Sequence, residues 1–369
     1  MQNSCFGYCA MRAEKPRHIL IRADASALIG TGHVMRCMVL AQHLTELGSQ
    51  VHFICRDLPG NLNDYIAAHG YGITVLPDNA ESVTWQDDVA NIITHHAHAD
   101  GVIVDHYQLG KEWESAISTH FACPLLAIDD MNRPHQSDLI LDQNLWPAGG
   151  QRYLNSPGTH LIGPEYALLR PSFASLREQH LPRENQLLVC FGGSDPTGES
   201  EKFLRAVHEM PALPFTVLLI AGRANLRYPQ LQAIAENTDV LLYPHRDDFE
   251  QLLATSHYMI GASGSSNWER LCLNTPASVV CVADNQREIS RHLAKENAVR
   301  YLGEAEHLTP KDYAHELSWI SSHWQQLNRF NPIMIDGKGA SRVARKFYQR
   351  VNKKYHCTDG HGYRVTADN

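Results

Sequence analysis

Short apolar runs rich in β-branched residues recur along this chain, each followed by a segment of helical periodicity. This alternation constrains the fold more than any other feature. The runs are apolar at successive positions, as strands buried on both faces must be. Helices covering both faces of a parallel sheet produce that burial, so the pattern predicts an α/β protein. In the first half the predicted strands are HILIRAD (18–24), VHFIC (51–55), ITVL (73–76), GVIVDHY (101–107), PLLAIDD (124–130) and DLILDQN (138–144). Between the first two, Val34, Cys37, Leu40, Ala41, Leu44 and Leu47 share one helical face, and Gly48 supplies the C-cap.

A stretch rich in Pro, Gly and Asn runs from Trp146 to about Gly158, followed by GPEYALLRPSF, and marks a domain junction. The pattern then restarts with LLVCFGG (187–193), FTVLLIAG (215–222), DVLLYP (239–244), YMIGASG (258–264), ASVVCVAD (277–284) and VRYLG (299–303). The expectation is two Rossmann-like parallel-sheet domains, 17–165 and 166–335, facing a cleft. A C-terminal helix follows over 336–351, and residues 1–16 and 352–369 are expected to be disordered extensions.

Composition narrows the function. The 369 residues carry a formal net charge of −8 with no basic stripe, which argues against nucleic-acid or membrane-surface binding but leaves room for a small phosphorylated ligand. No run of 18 apolar residues appears, the first ten residues do not read as a secretory signal, and a cytoplasmic protein is expected. The nine cysteines include no CxxC pair, so neither a disulfide framework nor a zinc site is expected.

Polar residues gather where predicted strands end, and strand carboxyl ends are where such sheets bind ligands. After the first strand come Arg22-Ala23-Asp24 and then Gly30-Thr31-Gly32-His33-Val34-Met35-Arg36. The glycines let backbone N–H groups approach a ligand, although a strand-to-helix turn needs Gly in any case. At a helix start the dipole disfavours a charged imidazole, which suits His33 to the part of a general base. In the second half, Gly192-Gly193-Ser194 and Ser263-Gly264-Ser265-Ser266-Asn267 each follow a strand and open a helix. Two such loops suit a diphosphate held without a metal; capping uses the same donors, so the two readings coexist. Glu269 can accept from a ribose diol or simply favour the helix start. Asp105-His106-Tyr107 and Asp129-Asp130 end strands without an evident pairing, and His95, His96 and His98 read as a solvated helix face.

The segments IRADASALIGTGHVMRCMVLAQHL, VDHYQL, IDDMNRPHQSDLILDQN, GPEYALLRP, CFGGSDPTG, GASGSSNWERLCLNTPA, DNQ and IDGKGASRVA occur in order from residue 18 to about 345. With them the chain resembles the UDP-sugar hydrolases of pseudaminic acid biosynthesis, which are similar in fold to the GT-B glycosyltransferases, including the one that makes lipid II. The resemblance implies a cytoplasmic enzyme that hydrolyses UDP-2,4-diacetamido-2,4,6-trideoxy-β-L-altropyranose to UDP and free sugar with inversion. That is a step towards flagellin or surface-glycan modification. It implies His33 as catalytic base; by its placement after the first strand, Asp24 is a candidate to orient His33 or the sugar. Substrate and UDP would meet Gly30, Gly32, Arg36, Tyr107, Gly192, Gly193, Ser194, Ser263, Gly264, Ser265, Ser266, Asn267 and the ribose-binding Glu269. No metal or cofactor is expected, and the partner is the nucleotide-sugar alone, bound by a monomer or weak oligomer. The alternatives are a GT-B transferase with an organic acceptor, whose apolar acceptor patch the sequence does not display, and a non-catalytic nucleotide-sugar binder.

Overall fold

Each predicted strand forms, because consecutive β-branched and leucyl side chains can be buried only between two helical layers. A computed structural model describes residues 15–77, 84–147, 151–327 and 332–358. The first sheet contains β1 (Arg17–Ala23), β2 (Ser49–Arg56), β3 (Gly72–Leu76), β4 (Gly101–Asp105), β5 (Leu125–Ile128), β6 (Leu139–Asp142) and β7 (Thr159–Ile162). Its strand order is β3-β2-β1-β4-β5-β6-β7, with every pair parallel. The second contains β8 (Glu184–Cys190), β9 (Thr216–Ile220), β10 (Val240–Tyr243), β11 (Ser256–Ala262), β12 (Ala277–Cys281) and β13 (Arg300–Glu304), ordered β10-β9-β8-β11-β12-β13. Both are doubly wound, so each has a switch point: between β1 and β4 in the first sheet, and between β8 and β11 in the second.

Two elements depart from expectation. β7 lies just past the Pro/Gly/Asn stretch and pairs with β6 from Leu139↔Thr159 to Asp142↔Ile162. Its four residues, THLI, are too short and too mixed to stand out as a run. The helix Gly339–Thr358 is longer than expected, so residues 352–358 are ordered helix and only 359–369 of that tail lie outside the described residues, as do 1–14 at the other end. Arg17 Nε donates to Asn352 Oδ1 at 2.9 Å and holds the end of this helix to β1.

That last helix returns to the first sheet. Ala340, Val343, Ala344, Phe347 and Val351 are buried in one cluster with Ile19, Cys37, Ala41 and Leu44. Gly101 makes room for it: a Cβ there would stand 2.8 Å from the Phe347 ring and 2.9 Å from Val351. The helix Gly32–Glu46 ends as predicted, with Gly48 at φ +88 and its N–H on the Thr45 carbonyl. The helix Trp85–His95 stops one residue before His96, which turns inward to be buried beside His52, with ring centroids 4.8 Å apart. The expected solvated face therefore holds for His95 and His98 but not for His96.

Candidate active site

Because β1 and β4 are neighbours across the first switch point, the loop after β1 and the end of β4 meet. His33, in the first turn of the helix Gly32–Glu46, points its Nδ1 at Asp105 Oδ1, 2.7 Å away. Arg36, one turn on, donates from Nε to Asp105 Oδ2 at 2.5 Å and from its terminal nitrogen to Oδ1 at 2.6 Å. Asp105 is buried. Burial alone would raise its pKa, yet Arg36 and His33 outweigh that and hold the carboxyl well below the usual range. An ionised Asp105 accepts from Nδ1–H, which leaves the lone pair of neutral His33 on Nε2, the nitrogen not engaged with Asp105. The Tyr107 ring meets the imidazole edge-on at 4.8 Å.

His33 lines a cavity of about 240 Å³ between the two domains. Gly32, Arg36, Tyr107, Asp130, Gln143 and Asn144 wall it from the first domain, and Ser263, Gly264, Ser265, Asn267, Asn285 and Gln286 from the second. Tyr107 ties the walls together: its hydroxyl donates to Asp130 Oδ2 at 3.1 Å and accepts from Asn285 Nδ2 at 3.3 Å. Burial, reinforced by Asp130, pushes the Tyr107 pKa upward, so it stays a neutral donor.

Other expected site residues lie elsewhere. Asp24 does not reach His33. It is buried against Arg22, whose guanidinium donates to it at 2.5 and 3.0 Å, and it also takes the Arg56 N–H and His106 Nε2. Asp24 therefore ties the end of β1 to Arg22, the Arg56 backbone and His106, and Asp105 is the carboxylate on the histidine. Gly30 adopts φ +76, but its N–H is spent on the Ser26 carbonyl at 2.8 Å, closing a tight loop, so it has no donor for a ligand. In the 192–200 loop, Asp195 takes the N–H groups of Glu199 and Ser200, both at 2.9 Å, and caps that helix with its own negative charge. The first two N–H groups of that helix are thus already taken. What remains is the strip Gly192–Ser194, where a Cβ on Gly193 would stand 3.9 Å from Thr31 Oγ1 across the cleft.

In the 263–267 loop, Ser263 and Asn267 are buried and bonded to each other, Ser266 Oγ returns to the Ala262 carbonyl, and Ser265 is exposed at the cavity. Glu269 lies outside this cavity, close to the Arg170–Glu250 ion pair. Burial raises its carboxyl above the ordinary range; Arg170 opposes this and Glu250 adds to it.

Asp105 and Asp130 stood out in the sequence as strand-end acids without an assigned role, and Gln143, Asn144, Asn285 and Gln286 were not singled out as site residues. Their common signal is a polar residue at or directly after an apolar run, as in LILDQN and VVCVADNQ.

Two doubly-wound domains with a polar cavity between them make up a fold of the GT-B type. Across nearly its whole length the chain matches the crystal structure of Acinetobacter baumannii MurG, covering 93% of this chain and 99% of that one, with TM-score 0.56 at 14% identity. It also matches Arabidopsis thaliana UGT89C1 complexed with UDP, over 92% and 99%, with TM-score 0.59 at 10% identity. No family model matches the chain. By sequence it is similar to the UDP-2,4-diacetamido-2,4,6-trideoxy-β-L-altropyranose hydrolase of Campylobacter jejuni, 26% identical over 280 residues that cover 75% of this chain and 96% of that protein. It is also similar to the spore coat polysaccharide biosynthesis protein SpsG of Bacillus subtilis, 22% identical over 88% of this chain and 96% of that one. Among the described residues no helix is long and apolar enough to cross a membrane.

Proposed function

We propose that this protein hydrolyses a UDP-linked 2,4-diacetamido-2,4,6-trideoxy sugar to UDP and the free sugar, with inversion and without a metal ion, as a step of pseudaminic acid biosynthesis. The observation that carries the reading is the His33–Asp105 pair, with His33 lining a cavity that Ser263, Gly264, Ser265 and Asn267 wall from the second domain. The likeness to the Campylobacter hydrolase and the fold it shares with a UDP complex support UDP as the nucleotide.

In the proposed reaction, His33 Nε2 takes a proton from a water on the face of the sugar opposite the diphosphate. The water oxygen bonds to the anomeric carbon as the bond from that carbon to the diphosphate oxygen breaks, and the electron pair leaves with UDP. Asp105 fixes the tautomer beforehand and stabilises the imidazolium that forms. General-base assistance of this kind is worth about 10²–10⁴-fold. The departing diphosphate is already an anion and needs no general acid; on the wall across from His33, the loop Ser263–Ser265 offers backbone N–H groups and hydroxyls to its developing charge.

A second reading has one observation behind it. Leu28 is fully exposed, Ile29 is exposed at the cavity edge, and Met131 is exposed next to Asp130, so the first domain does present apolar surface beside the site. An apolar acceptor would need such a surface, and a transferase would release UDP only when that acceptor was present. The test is proton NMR of the protein with the UDP-diacetamido sugar in excess EDTA, beside His33→Ala. Free sugar with an inverted anomeric signal, nearly lost in the variant, is the expected result. Activity that vanishes in EDTA, or that requires an added acceptor, overturns the reading.

A further inference from the structure

Arg22 and Arg270 are the arginines among the largest wholly buried side chains of the described residues, and their environments are opposite. Arg22 grips Asp24 and Asp88. Arg270 has no carboxylate within ion-pair distance among the described residues. Its Nε and one terminal nitrogen donate to Asn267 Oδ1 at 3.2 and 2.7 Å, and the other terminal nitrogen donates to the Ala298 carbonyl at 3.3 Å. All of these acceptors are neutral. A buried guanidinium with no counter-charge is costly to keep, and the cost falls when an anion arrives.

The hydrogen bonds show where that anion would sit. With Oδ1 committed to Arg270, the Asn267 amide must turn its Nδ2 outward, and it donates to Ser263 Oγ at 3.0 Å. Ser290 Oγ stands 2.7 Å from Ser263 Oγ and 2.6 Å from the Gln286 carbonyl, with one proton for the two. When that proton goes to Ser263, which already accepts from Asn267, the Ser263 O–H is left to give to a ligand. Asn267 and Ser263 both line the cavity opposite His33. A full positive charge thus stands directly behind a loop whose side chains are aligned to donate.

We infer that Arg270 is a positioning residue for the diphosphate: its unneutralised charge, relayed through Asn267 to Ser263, makes the loop prefer a polyanion over a neutral ligand. The inference rests on reading the cleft as a nucleoside-diphosphate site and adds the residue that sets its charge preference. Arg270 does not touch the ligand. It orients the groups that do, and it supplies the counter-charge for the diphosphate both in the bound state and as the leaving group forms.

The test is a series of ligands of falling charge, UDP, UMP and uridine, titrated calorimetrically into wild type, Arg270→Gln and Arg270→Lys. Gln keeps one donor but removes the charge together with the fork on Asn267; Lys restores the charge without the fork. A unit charge acting on a dianion through protein interior is worth about thirtyfold in affinity. Arg270→Gln is therefore expected to bind UDP about thirtyfold more weakly, UMP less so, and uridine within about twofold of wild type, with Arg270→Lys recovering most of the difference. A purely structural role would lower all three ligands alike, and that outcome, or an unchanged charge gradient, overturns the inference. Should neither variant fold, thermal melts of the wild type decide: inorganic pyrophosphate alone is expected to raise the melting temperature, and no rise overturns the inference. Failure of the wild type to bind UDP would instead remove the nucleotide reading on which the inference stands.

Discussion

Replacing Asp105 by Asn isolates what the buried carboxylate does for His33, because shape is kept while charge and one acceptor are lost. Asp105 receives two kinds of donor: Oδ1 takes His33 Nδ1 and an Arg36 terminal nitrogen, and Oδ2 takes Arg36 Nε. Asn offers one oxygen and one NH₂. With its oxygen in the Oδ1 place, the His33 bond survives, but the NH₂ faces Arg36 Nε–H, donor against donor. With the amide turned over, the NH₂ faces the other Arg36 nitrogen and donates to His33 Nδ1, which forces the proton onto Nε2 and removes the base. Both arrangements satisfy the histidine and lose one Arg36 bond, so neither is clearly preferred and the tautomer is no longer fixed. The imidazolium of the transition state also loses its counter-ion. A fall in kcat of about 10³-fold follows, equivalent to about 4 kcal/mol. Breaking the buried pair with Arg36 also destabilises the fold by about 3–5 kcal/mol. UDP affinity should stay within about threefold of wild type, since Asp105 faces the histidine and not the ligand. The assay is coupled UDP release at saturating substrate, with nitrogen-15 shifts of His33 reporting the tautomer in both proteins. A folded Asp105→Asn protein that keeps more than a third of wild-type kcat would refute the reasoning, as would a wild-type His33 carrying its proton on Nε2.

Other expectations test the frame around the site. Burial works against a charge on His135, but the Glu114 carboxylate bonded to Nδ1 and the Asp129 carboxylate 3.6 Å from Nε2 prevail and raise its pKa to about 9. A pKa raised on folding stabilises fully below the unfolded value near 6.5 and is lost as pH climbs through about 9, so wild type should lose about 3 kcal/mol of urea stability between pH 6.5 and 10. His135→Gln should show little of that slope, and an equal slope in both proteins would rule the histidine out as its source. Gly222 sits at φ +96 with its Cβ direction 2.3 Å from the Gly193 carbonyl oxygen. Gly222→Ala should therefore cost at least about 1–3 kcal/mol and displace the Gly192–Gly193 strip, lowering kcat/KM; normal kinetics would show that strip to be unimportant. Phe347 joins the last helix to the first sheet, so Phe347→Ala should destabilise by about 3–5 kcal/mol in thermal or denaturant melts, and a loss under 1 kcal/mol would mean the helix is not part of that core.

How much was legible in the sequence differs between fold and site. Parallel strands buried on both faces leave their mark in consecutive residues, so VHFIC, GVIVD and ASVVC announce themselves without knowledge of their neighbours. β7 did not, because THLI at a sheet edge has only one residue fully buried. Loop chemistry was partly legible for the same local reason: Gly32-His33 and Ser263–Asn267 each carry their signal within a few residues, and both do line the cavity. Local reading also misled. Gly30 and the helix after Asp195 look like free donors in sequence, but their N–H groups are already taken by Ser26 and Asp195.

By itself, then, the sequence determined the α/β architecture and the loops at the strand ends, since both follow from periodicity and turn chemistry over short spans. Only the tertiary structure decided which acid serves His33. Asp24 is nearer in sequence, yet Asp105, 72 positions away, is the one in reach, because the sheet order sets β4 beside β1 while Asp24 is taken up by Arg22. It also left Arg270 buried without a carboxylate, one turn from the loop it backs. Partnerships of this kind depend on which strands become neighbours, and that is settled by packing across the whole sheet, not by any stretch of adjacent residues.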